Sequence, residues 1–156
     1  MFRITWQPIL LTVILSPAVA NALISDGVHH SGNPQFYFLP PLVAAPDLPG
    51  SFDPTLDPVV EIVELTTETL VARFTTDSGL RIDDGGSTYI VTWHTRDFEL
   101  ESGHIYRIVV SVDGLWLGFA DVAVVDNSKD AKNVDALEFV PLVIGHNLPI
   151  KFAIQQ

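Results

Sequence analysis

Hydrophobic and polar positions alternate most clearly along Tyr106–Val125, which reads Y-R-I-V-V-S-V-D-G-L-W-L-G-F-A-D-V-A-V-V. Two apolar runs meet at Asp113-Gly114. Asp-Gly between such runs predicts a hairpin with a type I′ turn, because both central residues of that turn need positive φ. Tyr106, Ile108, Val110 and Val112 share one face of the first strand, with Arg107 on the other. In the second strand Leu115, Leu117 and Phe119 fall on one face and Trp116, Ala120, Val122 and Val124 on the other. That strand is expected to be buried on both sides over part of its length.

The rest of the chain divides into short segments of period two separated by turn residues. Gln35–Leu39 is a short aromatic strand ended by Pro40-Pro41, which places it at a sheet edge. Leu42–Pro58, rich in Pro, Asp and Gly, is expected to cross the surface as an ordered loop or between sheets. Val59–Leu65 and Leu70–Thr76 form a hairpin around Thr66–Thr69, with Leu70, Ala72 and Phe74 inward and Val71, Arg73 and Thr75 outward. Leu80–Ile82 is a short strand between the turns Asp77-Ser78-Gly79 and Asp83-Asp84-Gly85-Gly86. In Thr88–Thr95, Tyr89, Val91 and Trp93 alternate with Ile90, Thr92 and His94. Arg96–Gly103 is a polar connection anchored by Phe98 and Leu100, and Asp126–Asn133 has room for one helical turn. Leu137–Ile144 is strand-like but carries Pro141, which implies an edge or a bend. Leu148–Ile154 closes the chain, with Leu148, Ile150, Phe152 and Ile154 inward. About eight short strands at this spacing, with no helical period, predict an all-β antiparallel β-sandwich.

The N-terminus adds a targeting signal. Met1–Ala22 combines Arg3, the apolar run Ile9–Leu15, and small-residue cleavage sites at Ala18-Val19-Ala20 and Ala20-Asn21-Ala22. This is the pattern of a secretory signal peptide, and the run is short for a bilayer span. Residues 23–34 read as a flexible lead-in and 35–156 as a single domain. The chain has no Cys, so disulfides, thiolate metal sites and a Cys nucleophile are all excluded. Lys and Arg number 8 against 19 Asp and Glu, a formal net charge of −11. Such a surface repels nucleic-acid backbones and anionic lipid, and no basic cluster offsets it. No membrane span is expected once the signal is removed.

Candidate chemistry is sparse. His29, His30, His94, His104 and His146 show no zinc-binding spacing. His94 reads as a surface or hydrogen-bonded residue, and His29-His30 as a disordered polar pair. Asp77, Asp83 and Asp84 gather on neighbouring turns and are the candidate calcium ligands, and Asp97, Glu99 and Glu101 alternate in the next connection. Extracellular modules collect oxygen ligands from such loops, although turns demand Asp and Gly for their own geometry. Asp121 lies between apolar neighbours, so it needs a partner, and Arg107 on the adjoining strand is the expected one. No nucleophile elbow is present, and an enzyme is not expected. Phe36, Tyr37, Phe38 and Trp116, with Trp93, are the candidate aromatic contact residues, either for a partner or for sugar, against a default of core packing.

Several phrases occur together and in order: G-N-P-Q-F-Y-F-L-P-P-L-V (Gly32–Val43), P-V-V-E-I-V (Pro58–Val63), Y-I-V-T-W-H-T (Tyr89–Thr95), Y-R-I-V-V (Tyr106–Val110), L-G-F-A-D-V (Leu117–Val122) and L-P-I-K-F-A-I (Leu148–Ile154). In these the chain resembles an uncharacterised domain of exported bacterial proteins, one often set N-terminal to immunoglobulin-like or repeat domains of large cell-surface proteins. The resemblance implies an immunoglobulin-like or prealbumin-like sandwich and carries no activity. The expected function is a non-enzymatic structural, adhesive or protein-interaction module outside the cell. Its partners would be other surface proteins or a second copy, engaged through the edge strands Gln35–Leu39 or Leu148–Ile154. A carbohydrate- or calcium-binding module is the alternative, and a small secreted hydrolase the third reading.

Overall fold

The structure is a computed structural model and describes residues 24–83 and 85–156. The expected signal peptide, Met1–Ala22, lies outside the described residues. The described residues are all-β and form ten strands in two layers. They are β1 (Ile24–Ser25), β2 (Phe36–Phe38), β3 (Pro58–Glu64), β4 (Thr69–Phe74), β5 (Arg81–Ile82), β6 (Tyr89–Trp93), β7 (Ile105–Val112), β8 (Leu115–Val125), β9 (Val140–Val143) and β10 (Leu148–Ile154). One helical turn, α1 (Ser128–Ala131), lies in the expected Asp126–Asn133 segment, and the Asn127 side chain caps it by accepting from the Lys129 and Asp130 N–H groups. The larger sheet runs β1-β8-β7-β3-β4, with β9 also on β8; the smaller runs β2-β10-β6-β5. Pairing is antiparallel throughout except between β8 and β9, where α1 sits in the connection that a parallel return requires.

The β7–β8 hairpin has the predicted turn: Asp113 and Gly114 have φ of 50° and 77°, and Val112 pairs directly with Leu115. Its inner face, Tyr106, Ile108 and Val110 with Ala120, Val122 and Val124, is fully buried. The smaller sheet covers that face with Phe36, Phe38, Tyr89, Val91, Trp93, Ile150 and Phe152. Trp93 meets Tyr106 across the layers at 6.0 Å between ring centres. The closest approach is at Gly118, where an added Cβ would lie 2.4 Å from the Ser25 carbonyl oxygen and 2.5 Å from the Phe36 ring. The Tyr106 hydroxyl reaches back to accept from the Glu101 N–H at 2.9 Å, pinning the connection that carries the chain from one layer to the other.

Several expectations are corrected. Residues 24–33, read as a flexible lead-in, contain β1 and a turn organised by the buried Asp26 carboxylate. It accepts from the Val28 and His29 N–H groups at 2.9 Å, from His29 Nδ1 at 2.8 Å, and from the Phe38 N–H at 3.1 Å. His29 is therefore engaged, and His30 Nδ1 bonds the Ile24 carbonyl. Leu148–Ile154, expected at an edge, is central, lying between β2 and β6. Pro149 is tolerated there because β2 is short and pairs only with Phe152–Ile154. In β4 the register against β3 shifts between Ile62 and Val63, so Leu70 opposes Val63 and turns outward, 52% exposed, while Ala72 stays inward. A second shift beyond Val110 pairs Ser111 with Trp116 and so moves Trp116 off the inner face. One extra residue reverses the side on which every later residue falls.

Gly118→Ala should lower the unfolding free energy by about 2–3 kcal/mol, because the new methyl group meets backbone and ring on both sides. Urea denaturation measures this.

Candidate interaction site

Two strongly exposed apolar side chains stand side by side at the tip of the β7–β8 ribbon. Leu115 is 72% exposed and Trp116 66%. The type I′ turn keeps the two strands twisted together to their ends, so the tip is presented as a unit. Beside it lies an open groove of about 350 Å³, whose lining includes the apolar Leu56, Leu115, Leu117 and Ile154 and the acidic Asp53 and Asp113. The Thr55 hydroxyl and then the Thr55 N–H donate to the Asp53 carboxylate at 2.6 and 2.9 Å, and these bonds hold its carboxyl below the ordinary carboxylate range. The groove therefore offers apolar contact rimmed by negative charge.

The outer face of the same ribbon carries the expected ion pair. Arg107 and Asp121 face each other across β7 and β8. Arg107 donates from Nε to Asp121 Oδ1 at 2.7 Å and from a terminal nitrogen to Oδ2 at 2.9 Å, a two-pronged bond to a fully buried carboxylate. The same guanidinium lies over the Phe119 ring, 4.0 Å from its centre. Both oxygens of Asp121 are thus engaged, which suits a structural role rather than proton transfer.

A third constellation was not visible in the sequence. Glu64 at the end of β3 is nearly buried, and its carboxylate accepts from the Thr66 and Thr67 N–H groups at 3.0 and 2.7 Å and from the Thr67 hydroxyl. His104 bridges Glu64 and Glu101, with Nδ1 at 3.1 Å and Nε2 at 3.2 Å. Burial opposes ionisation of Glu64, but the bonds from Thr67 and Thr66 outweigh it and hold the carboxyl at about 2. These residues, with Thr69, Val71, Glu99 and Tyr106, line a shallow hollow of about 170 Å³. Glu64 and His104 are 40 residues apart, and no spacing rule links them. The one available signal was a Glu placed just before a Thr-Thr turn, the arrangement that lets a side chain cap its own turn.

The other predicted site residues are dispersed. Phe36 and Phe38 are fully buried in the core, as is Trp93. Tyr37 is also buried, and its hydroxyl donates to the Pro34 carbonyl. Alternation along β2 cannot keep them exposed, because one face meets the ribbon and the other packs under the Asp26–Gly27 turn. Of the aromatic candidates only Trp116 is open to a partner, so they form no shared platform for sugar. Asp77 lies exposed on the turn after β4, and Asp83 is held below the ordinary carboxylate range by polar groups of its own turn, Thr88 first; Asp84 lies outside the described residues. Among the described residues, no three His, Asp or Glu side chains are grouped so as to hold a metal ion. His94 is exposed and His146 lies on the β9–β10 turn, where its carbonyl accepts from the Thr95 hydroxyl. No described helix is long and apolar enough to cross a membrane.

Comparison of the chain with known protein families, characterised proteins and solved structures finds no match.

Two predictions follow from these carboxylates. The low pKa of Glu64 contributes stability that is fully present above its ordinary value of 4.5 and is lost as pH falls towards about 2. The contribution is roughly 3 kcal/mol. In Glu64→Gln that part of the acid-induced loss should vanish from a series of urea melts. For the ribbon pair, Arg107→Met alone should cost about 3–5 kcal/mol by removing the opposite charge from the buried Asp121 carboxylate. The double variant Arg107→Met, Asp121→Leu should cost clearly less in the same melts.

Proposed function

We propose that the chain is an exported, non-enzymatic interaction module of immunoglobulin-like design that uses the β7–β8 tip as its contact surface. The observation that carries the reading is the exposed pair Leu115 and Trp116 beside an apolar groove. Trp is over-represented among residues that dominate binding energy, because a large rigid ring buries much area at little entropic cost. The acidic rim favours a partner segment with an apolar anchor flanked by Lys or Arg.

Two features support the finer architecture. Tyr106, at the start of β7 after a change of layer, bonds the backbone five residues upstream through its hydroxyl, as the tyrosine of an immunoglobulin-like corner does. The β3–β4 and β7–β8 hairpins lie side by side in one layer and face a second layer in which β10 pairs antiparallel with β6, the general plan of a sandwich. The strand order β8-β7-β3-β4 and the parallel strand β9 are departures from the immunoglobulin pattern. Export is supported by the Met1–Ala22 pattern and by a Cys-free, acidic composition suited to solubility outside the cell.

Both parts of the reading can be tested in producing cells. Protein recovered from outside the cell membrane should begin after Ala20 or Ala22 on N-terminal sequencing; a chain retained inside at full length would refute export. A photo-cross-linking residue at position 116 should capture one discrete partner, and the same residue in place of exposed Leu137 should not. Equal labelling from both positions would count against the tip. Trp116→Ala should change the unfolding free energy by less than about 0.5 kcal/mol, since the ring is solvent-exposed.

A further inference from the structure

The geometry points to a second interaction surface, independent of the ribbon tip: the free edge of β4, which pairs antiparallel with β4 of a second copy. A strand edge displays unused N–H and C=O groups that another strand can satisfy. Other edges are closed or very short. On β2 the Phe38 N–H donates to Asp26 and the Phe36 carbonyl accepts from the Gly27 N–H, so the turn before the strand already occupies that edge. β1 and β5 are two residues each, and β9 carries Pro141. β4 runs for six residues and, among the described residues, has β3 as its one strand neighbour.

The bulge in this hairpin selects both partner and register. Because Val71 is the extra residue, Leu70 and Arg73 both lie on the outer face while Thr69 and Ala72 turn inward. Residues opposed across an antiparallel pair must share a face. A two-fold axis between Val71 and Ala72 meets this requirement. It sets Leu70 opposite Arg73 of the second copy and Thr69 opposite Phe74 of the second copy, and each pair occurs twice. The Arg73 stem then covers the exposed Leu70 side chain, while its guanidinium stays near its own Glu61, 3.5 Å away. A register that placed Arg73 against Arg73 would oppose like charges. The segment T-L-V-A-R-F contains no acid, so it is a site where two copies of a strongly acidic chain can approach. Two six-residue strands bury less than the ~1,200 Å² of a stable interface, so the dimer is weak and depends on concentration.

Sedimentation velocity on the purified chain, from low micromolar to millimolar and at low and high salt, tests this. A reversible dimer is expected, strengthened by salt because screening relieves the net repulsion. Leu70→Lys places a second cation opposite Arg73 and should weaken the dimer about tenfold, whereas Leu70→Glu creates two opposed ion pairs and should tighten it about threefold. Neither variant should alter the melting temperature appreciably, since Leu70 is half exposed. Trp116→Ala should leave the dimer unchanged. A monomer at every concentration and salt, equal weakening by Lys and Glu at position 70, or loss of the dimer in Trp116→Ala would each overturn the inference.

Discussion

Everything in this molecule is arranged to keep water from one face of the β7–β8 ribbon. Six side chains on that face are buried, and among them Tyr106 opposes Val122 and Ile108 opposes Ala120 across the hairpin. β3 extends the ribbon on one side, and β1 and β9 share its other side. The smaller sheet supplies the cover, mostly aromatic rings large enough to span the gap between layers. Without disulfides, the contrast between buried and exposed apolar area must supply the main stabilising term. Gly118 marks where the cover sits closest, and a side chain there would separate the layers.

Three buried carboxylates complete the structure in similar ways. Asp26, Glu64 and Asp121 each tie one segment of backbone to another. Asp26 closes the first turn onto the edge of β2, Glu64 ties the β3–β4 turn to His104, and Asp121 joins the two strands of the ribbon through Arg107. A buried charge is tolerated only when its oxygens are occupied, and here each carboxylate has two or more donors. The arrangement makes fold stability sensitive to acid, since Glu64 must stay ionised to keep its turn closed.

The same features limit where the protein can be touched. Polar capping closes the β2 edge, and burial removes Phe36, Tyr37 and Phe38 from the surface. Among the apolar side chains left open are Leu115 and Trp116 at the ribbon tip and Leu70 on the β4 edge. Both owe their exposure to an irregularity in pairing, because a one-residue shift turned Leu70 outward and moved Trp116 off the inner face. Bulges in this protein therefore make surface out of residues whose pattern reads as core.

The alternation of side chains was enough to specify the ribbon, its Asp113-Gly114 turn, the inward rows Tyr89-Val91-Trp93 and Leu148-Ile150-Phe152, and the Arg107–Asp121 pair. Each of these depends on neighbours two residues apart or directly across a tight turn, and such local geometry is written in the residue order. Sequence could not specify which strand lay beside which. That β10 is central, that Asp26 reaches the edge of β2, and that His104 meets Glu64 are consequences of contacts between residues far apart in the chain. The two register shifts were hidden for another reason. A bulge changes no residue type, and period-two reading fails beyond it until the partner strand is known. Tertiary packing decided those faces, because only the opposing layer determines which side of a strand must be dry.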